Sequence, residues 1–198
     1  MNRIFAYVIN MLPYMMSAIP FVLLIRIAMV HWIKKKGLQT TFGHELVVSL
    51  FMLFMVGLFS QTIIPKIDFS VGGIGIVNGN LTGEINLIPG KVFVDTWRES
   101  FANGYWLYFV INFVGNICMF IPIGFCAPLL WHRMTFFKTL LFGFLTSLFI
   151  EICQLPQARG SDVDDLWLNT LGAAIGWLLY MVLSRFADRF CVRFKVKR

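Results

Sequence analysis

Charge is scarce in this 198-residue chain. Asp, Glu, Lys and Arg make up 14% of it and hydrophobic residues 58%, whereas soluble domains carry roughly a quarter charged residues. That deficit excludes an ordinary soluble domain. The four cysteines (Cys118, Cys126, Cys153 and Cys191) fall in or beside apolar runs without C-x-x-C spacing. Neither a zinc site nor a disulfide framework is indicated, and buried, inert thiols are expected. Also missing are G-x-S-x-G, H-E-x-x-H and a Gly-rich phosphate loop, each of which places a nucleophile, a metal ligand set or an anion cradle. The net charge of +7 does not point to nucleic acid, because the basic residues cap apolar runs instead of forming one patch.

Apolar runs are what the chain does have. The expected fold is all-α and integral to a membrane: a polytopic bundle of about five transmembrane helices with one larger extracytoplasmic loop, read as a single membrane domain over residues 1–198. A spanning helix needs about 20 apolar residues, and such runs lie at 4–33, 46–64, 105–130, 138–155 and 165–183. The first is too long for a cleavable signal, whose apolar core is about 7–15 residues. It reads as an uncleaved helix, kinked or preceded by an interfacial turn at Pro13 and Pro20, with Arg26 snorkelling toward Lys34, Lys35 and Lys36. Residues 66–104 form the Gly- and Asn-rich loop, where 71–77 and 84–88 alternate enough for a short hairpin. Trp106 and Tyr108 open the third span as an aromatic belt, and residues 184–198 are a basic tail.

Counting Lys and Arg by side orients the bundle. With the N-terminus outside, eleven fall inside and five outside, which favours a cytoplasmic C-terminus. His31, His44 and His132 then lie toward the cytoplasm, as interfacial residues and not ligands.

Polar groups inside spans are costly and face a bundle interior or a hydrated cavity. Asn112 and Asn116 share a face of the third span, Glu151 and Gln154 of the fourth, and Asp165 and Asn169 of the fifth. At 1.5 Å per residue, Asn112, Glu151 and Asn169 lie about 6–10 Å below the outer ends of their helices and Asn116 about 16 Å. Arg159 and Asp162 sit in the connection between the last two spans, where Arg159 is the natural counter-ion for Glu151. The eight residues Asn112, Asn116, Glu151, Gln154, Arg159, Asp162, Asp165 and Asn169 could line one outward-opening pocket. Each also has a structural alternative. Asp162, Asp164 and Asp165 begin a helix whose free N–H groups carboxylates cap, Asp164 foremost in a Ser161–Asp164 capping box. The asparagines could be interhelical hydrogen-bond partners, and Gly172-x-x-x-Gly176 is a close-packing motif. No cofactor is expected and no metal site is indicated; the only groups placed to hold a hard cation are Asp162 and Asp165.

In order, these residues resemble the VanZ family of membrane proteins. The resemblance rests on N-x-x-G-N-x-x-x-F-x-P-x-G from Asn112 to Gly124, E-x-x-Q at Glu151 and Gln154, R-x-x-D-x-D-D from Arg159 to Asp165, and N-x-x-G at Asn169 and Gly172. Residues 85–89 are similar to the pre-helix motif of the family, with Gly90 standing where an aromatic often follows. The similarity covers roughly residues 50–183. It implies a bacterial plasma-membrane protein linked to low-level resistance to teicoplanin and related lipoglycopeptides, with no mechanism attached.

Three readings compete. A non-enzymatic envelope factor would bind a lipoglycopeptide or a lipid-linked cell-wall precursor among membrane lipids. A membrane enzyme would act on a lipid headgroup or cell-wall precursor with Glu151 as catalytic acid or base, though no obvious nucleophile accompanies it. A transporter would carry polar groups through the full membrane depth, which this pattern lacks. The topology is directly testable: a fluorescent protein fused after Arg198 is expected to fluoresce, and alkaline phosphatase inserted at Gly79 to be active. The reverse pattern would invert the orientation.

Overall fold

The computed structural model describes residues 3–64, 67–68, 75–76, 86, 88–104, 106–155 and 162–197. Helix α1 (Arg3–Lys35) leads to α2 (Phe42–Thr62), then to a two-residue antiparallel pair, β1 (Ile67–Asp68) with β2 (Gly75–Ile76). There follow α3 (Lys91–Asn103), α4 (Trp106–Leu130), α5 (Phe136–Gln154), α6 (Val163–Phe186) and the short α7 (Asp188–Val192). Among the described residues, α1, α2, α4, α5 and α6 each contain a stretch long and apolar enough to cross a membrane. Their flanks expose large apolar side chains, such as Phe21, Leu24 and Ile27 at 65–67%, which only a hydrocarbon solvent tolerates over so wide an area. The protein is an all-α, multi-pass membrane protein.

Of the two forms expected for the first helix, the one with an interfacial turn is excluded. Pro13 and Pro20 lie inside one uninterrupted helix, with no interfacial turn, as lipid allows because the backbone has no water to turn to for partners. Arg26 does not snorkel. Its side chain is 7% exposed and pairs with Glu45 of α2, Nη2 to Oε2 at 2.7 Å and Nε to the same oxygen at 2.9 Å. Neutralisation across the helix pair replaces escape to the surface.

The described part of the loop after α2 holds a short strand pair, 67–68 with 75–76; the expected hairpin of 71–77 with 84–88 falls mostly outside the described residues. The loop also holds α3, an unforeseen helix. On it Thr96 and Ser100 are buried against the protein while Val94 and Trp97 are more than 40% exposed, and Lys91, Asp95, Arg98 and Glu99 share the remaining side. One side toward protein, one apolar and one charged is the pattern of a helix lying along a membrane surface.

The tightest contact in the bundle is between α4 and α6. A Cβ at Gly172 would stand 2.2 Å from the Ile117 carbonyl oxygen, one at Gly176 2.2 Å from that of Ile121, and one at Gly124 1.9 Å from that of Ala173. Small residues let the backbones touch, as expected for packing in lipid. Around this crossing, Phe51 and Leu58 of α2 meet Phe120 and Ile123 of α4 and Ile150 of α5 in the apolar core.

The two ends of the bundle are fastened separately. At one, Gln39 and Lys197 exchange both backbone hydrogen bonds at 2.9 Å, His44 Nδ1 meets the Phe194 carbonyl at 2.6 Å, and His132 Nε2 meets that of Val196 at 3.3 Å. The basic tail therefore folds back over the α1–α2 and α4–α5 turns, and two of the three histidines hold it. The thiols also differ from expectation: Cys191 is buried, but Cys118 is exposed on the bundle flank and Cys126 and Cys153 are half-buried, none in a disulfide.

Gly172→Ala is expected to destabilise the protein by about 1–3 kcal/mol through overpacking, read as a lower unfolding temperature in detergent. Gly115→Ala, whose new methyl meets nothing within 4 Å, should be neutral or slightly stabilising. Equal effects would mean that the α4–α6 contact is not the constraint described. Glu45→Gln should cost about 3–5 kcal/mol by leaving Arg26 charged and unpaired, and the Arg26→Met, Glu45→Met pair should recover most of that loss.

Candidate functional site

Three carboxylates open α6, and each is used differently. Asp162 is the N-cap: it has extended backbone (φ −126°, ψ 119°), and its Oδ1 accepts from Asp164 N at 2.9 Å. The same oxygen accepts from the Asn86 side-chain amide at 3.0 Å. The capping role thus belongs to Asp162 rather than Asp164; Ser161 of the expected capping box lies outside the described residues. The carboxylate of Asp162 can turn back to the free Asp164 N–H from outside the first turn, which Asp164, already inside it, cannot do.

Asp164 is 1% exposed. Its Oδ1 accepts from Gly90 N at 2.6 Å and from the indole Nε1 of Trp167 at 2.9 Å. Gly90 takes φ +81° to present that N–H, a left-handed conformation costing other residues about 1–2 kcal/mol. Here glycine at the departure from the family pattern has a local cause. With Val163 N donating to the Asn86 carbonyl at 3.1 Å, Asn86 and Gly90 together form a strap across the start of α6.

Asp165, one residue on, points to α4, where its Oδ1 accepts from the Asn116 amide. Glu151, near the end of α5, is 5% exposed, and its Oε2 accepts from Asp162 N at 3.0 Å. Asp165 lies within electrostatic reach of Glu151, Asp162 and Asp164. The expected residues Asn116, Glu151, Asp162 and Asp165 therefore come together from α4, α5 and α6. Gln154 and Asn169 turn elsewhere. The Gln154 amide donates to the Thr62 carbonyl of α2 at 2.9 Å, and that of Asn169 to Ser147 Oγ of α5 at 2.8 Å; both are interhelical ties. Arg159 and the side chains of Asn112, Trp106 and Tyr108 lie outside the described residues.

Burial is the largest influence on Asp162 and raises its pKa. The N–H of Asp164 and the Asn86 amide oppose the shift, the Asp164 carboxylate adds to it and Lys91 lowers it. Among the described residues no group of three or more His, Cys, Asp or Glu is arranged to hold a metal ion.

Beside the cluster runs an aromatic ladder. Phe93 of α3 stacks on Trp97 (5.9 Å between centroids) and meets Phe113 of α4 at 5.1 Å, which meets Trp167 of α6 at 5.5 Å. Neither it nor the strap contacts were foreseen. Ser147 could have been, since it stands one turn before Glu151 on the same face.

Residues 46–184 match the VanZ/LLP1 family. The chain belongs to that family. No curated protein and no solved structure matches it. The matched part of this VanZ/LLP1 protein contains the strap, the ladder and every member of the carboxylate cluster, while α1 lies outside it.

Removing the cap with Asp162→Ala is expected to cost about 0.5–2 kcal/mol. Asp162→Asn keeps an acceptor for Asp164 N and loses the buried charge. Because folding raises the pKa of Asp162, the ionised form opposes folding above that pKa and the penalty disappears as the carboxyl protonates. The Asn variant should therefore match or exceed wild type at neutral pH, and its advantage should vanish toward the ordinary carboxyl range. Chemical denaturation at neutral and acidic pH measures both.

Proposed function

We propose that this VanZ/LLP1 protein is a bacterial plasma-membrane factor that confers low-level tolerance of teicoplanin and related lipoglycopeptides. In this reading its N-terminus is outside, and the cluster of Asn116, Glu151, Asp162 and Asp165 belongs to an outward-facing site for a lipid-linked or glycopeptide ligand. The carrying observation is the burial of Glu151 and Asp164 in one cluster fed by α4, α5 and α6. Isolated carboxylates are expensive to bury, and several close together at a membrane protein's end are more than packing requires. Arg159 and Asn112 are assigned to the same site by sequence position, Arg159 to meet an anionic group and Asn112 to orient it. Gln154 and Asn169 support the walls through α2 and α5.

A membrane enzyme acting on a lipid headgroup or cell-wall precursor is the second reading, with Glu151 as acid or base. The buried Glu151 carboxylate favours it, and the N–H of Asp162 on that carboxylate favours binding instead.

Alanine at Glu151, Arg159 or Asp165 is expected to return teicoplanin susceptibility to that of cells lacking the protein, with expression confirmed by immunoblot. Unchanged susceptibility would refute the resistance role. Glu151→Gln separates the readings: an enzyme would lose turnover and keep its affinity for teicoplanin or precursor, whereas a binding site would lose affinity.

A further inference from the structure

Outside the cluster, a groove of about 550 Å³ opens between α1 and α2, toward the Lys34 end. Its volume is that of a small-molecule site, roughly 300–1,000 Å³. Leu23, Ile27, Val30 and Leu46 wall it. Arg26 and Glu45 also line it but cancel each other across 2.7 Å. What remains uncompensated is the charge of Lys34, which is exposed and, with the exposed imidazole of His31, lines the stretch nearest the end of α1. No acid other than Glu45 lines the groove, and Lys34 has no ion-pair partner among the described residues.

Two features fix the kind of occupant. Helix α1 packs chiefly on α2, so the groove opens sideways to hydrocarbon, and a bilayer fills such a space with acyl chain. Basic residues at the polar end of an interhelical groove then select among headgroups by charge. We infer that the α1–α2 groove is a binding site for one phospholipid of net negative headgroup charge, taken from the leaflet that faces Lys34. The acyl chain lies against Leu23, Ile27 and Leu46, and the phosphate meets Lys34 and His31. This site is independent of the carboxylate cluster, which lies at the opposite end of the bundle.

The test uses the full-length protein reconstituted in vesicles of equal phosphatidylglycerol and phosphatidylethanolamine with matched chains, then released into detergent for native mass spectrometry. Wild type is expected to retain a single phosphatidylglycerol in preference to phosphatidylethanolamine. Lys34→Gln should reduce that preference about fivefold, the worth of one basic residue near a membrane surface, while Arg189→Gln, basic but away from the groove, should leave it unchanged. Ile27→Trp fills the groove and should remove the bound lipid of either kind from a protein whose unfolding temperature is retained. Equal retention of the two lipids by wild type would overturn the inference without any variant. So would a lipid adduct that survives Ile27→Trp, or a lipid-free dimer that Ile27→Trp dissociates, which would make a second copy the occupant.

Discussion

The backbones of α4 and α6 approach until the carbonyl oxygens of Ile117, Ile121 and Ala173 occupy the volume that side chains at Gly172, Gly176 and Gly124 would need. The rest of the structure inherits its geometry from this contact. Lipid tails are as apolar as leucine, so helices in a membrane associate through close packing and hydrogen bonds more than through hydrophobic exclusion. The same closeness brings Asn116, the neighbour of Ile117 on α4, within hydrogen-bond reach of Asp165, about two turns before Gly172 on α6. Packing and polar chemistry are here one feature seen at two depths.

Charge is handled differently at the two ends of the bundle. Toward the tail, a single cation and a single anion cancel between α1 and α2. Toward the strap, carboxylates accumulate and are satisfied by donors mostly from other elements, Gly90 N, the Asn86 amide and the Asn116 amide, with the Trp167 indole of α6 itself adding to Asp164. That arrangement ties the pre-α3 segment, α4, α5 and α6 into one unit. A shift in any of them must therefore reach Asp162 or its neighbours, the property required of a site that senses an occupant through the position of its walls.

The five spanning helices were legible in the residues because long apolar runs have few other meanings. That polar groups of the last three spanning helices share faces was legible too, but depth alone put Asn116 below the level of Glu151, and its pairing with Asp165 was not readable from the residues. What escaped notice had a common cause. The polar loop between α2 and α4 hides α3 because that helix divides its surface among protein, lipid and water, and no apolar stripe stands out. Arg26 sits near a lysine-rich end, so escape to the surface explained it equally well until Glu45 was placed beside it. The capping residue was misassigned by two positions, because helix ends depend on where the chain turns, and Asp162, Asp164 and Asp165 are chemically alike. Gln154 and Asn169 share faces with the cluster but reach past it, since an amide's length lets it find the nearest carbonyl or hydroxyl on a neighbouring helix.

The return of the tail to the α1–α2 turn bears on how the protein is made. Residues 193–197 leave the ribosome after all five membrane-crossing helices have been synthesised, yet they supply the backbone partner of Gln39 and the carbonyls met by His44 and His132. The first hairpin must therefore wait, inserted but unfastened, until all five of these helices have been made. Closure of this end therefore requires that every preceding helix has been threaded in the correct direction, since a helix left out would deliver residues 193–197 to the opposite face of the membrane.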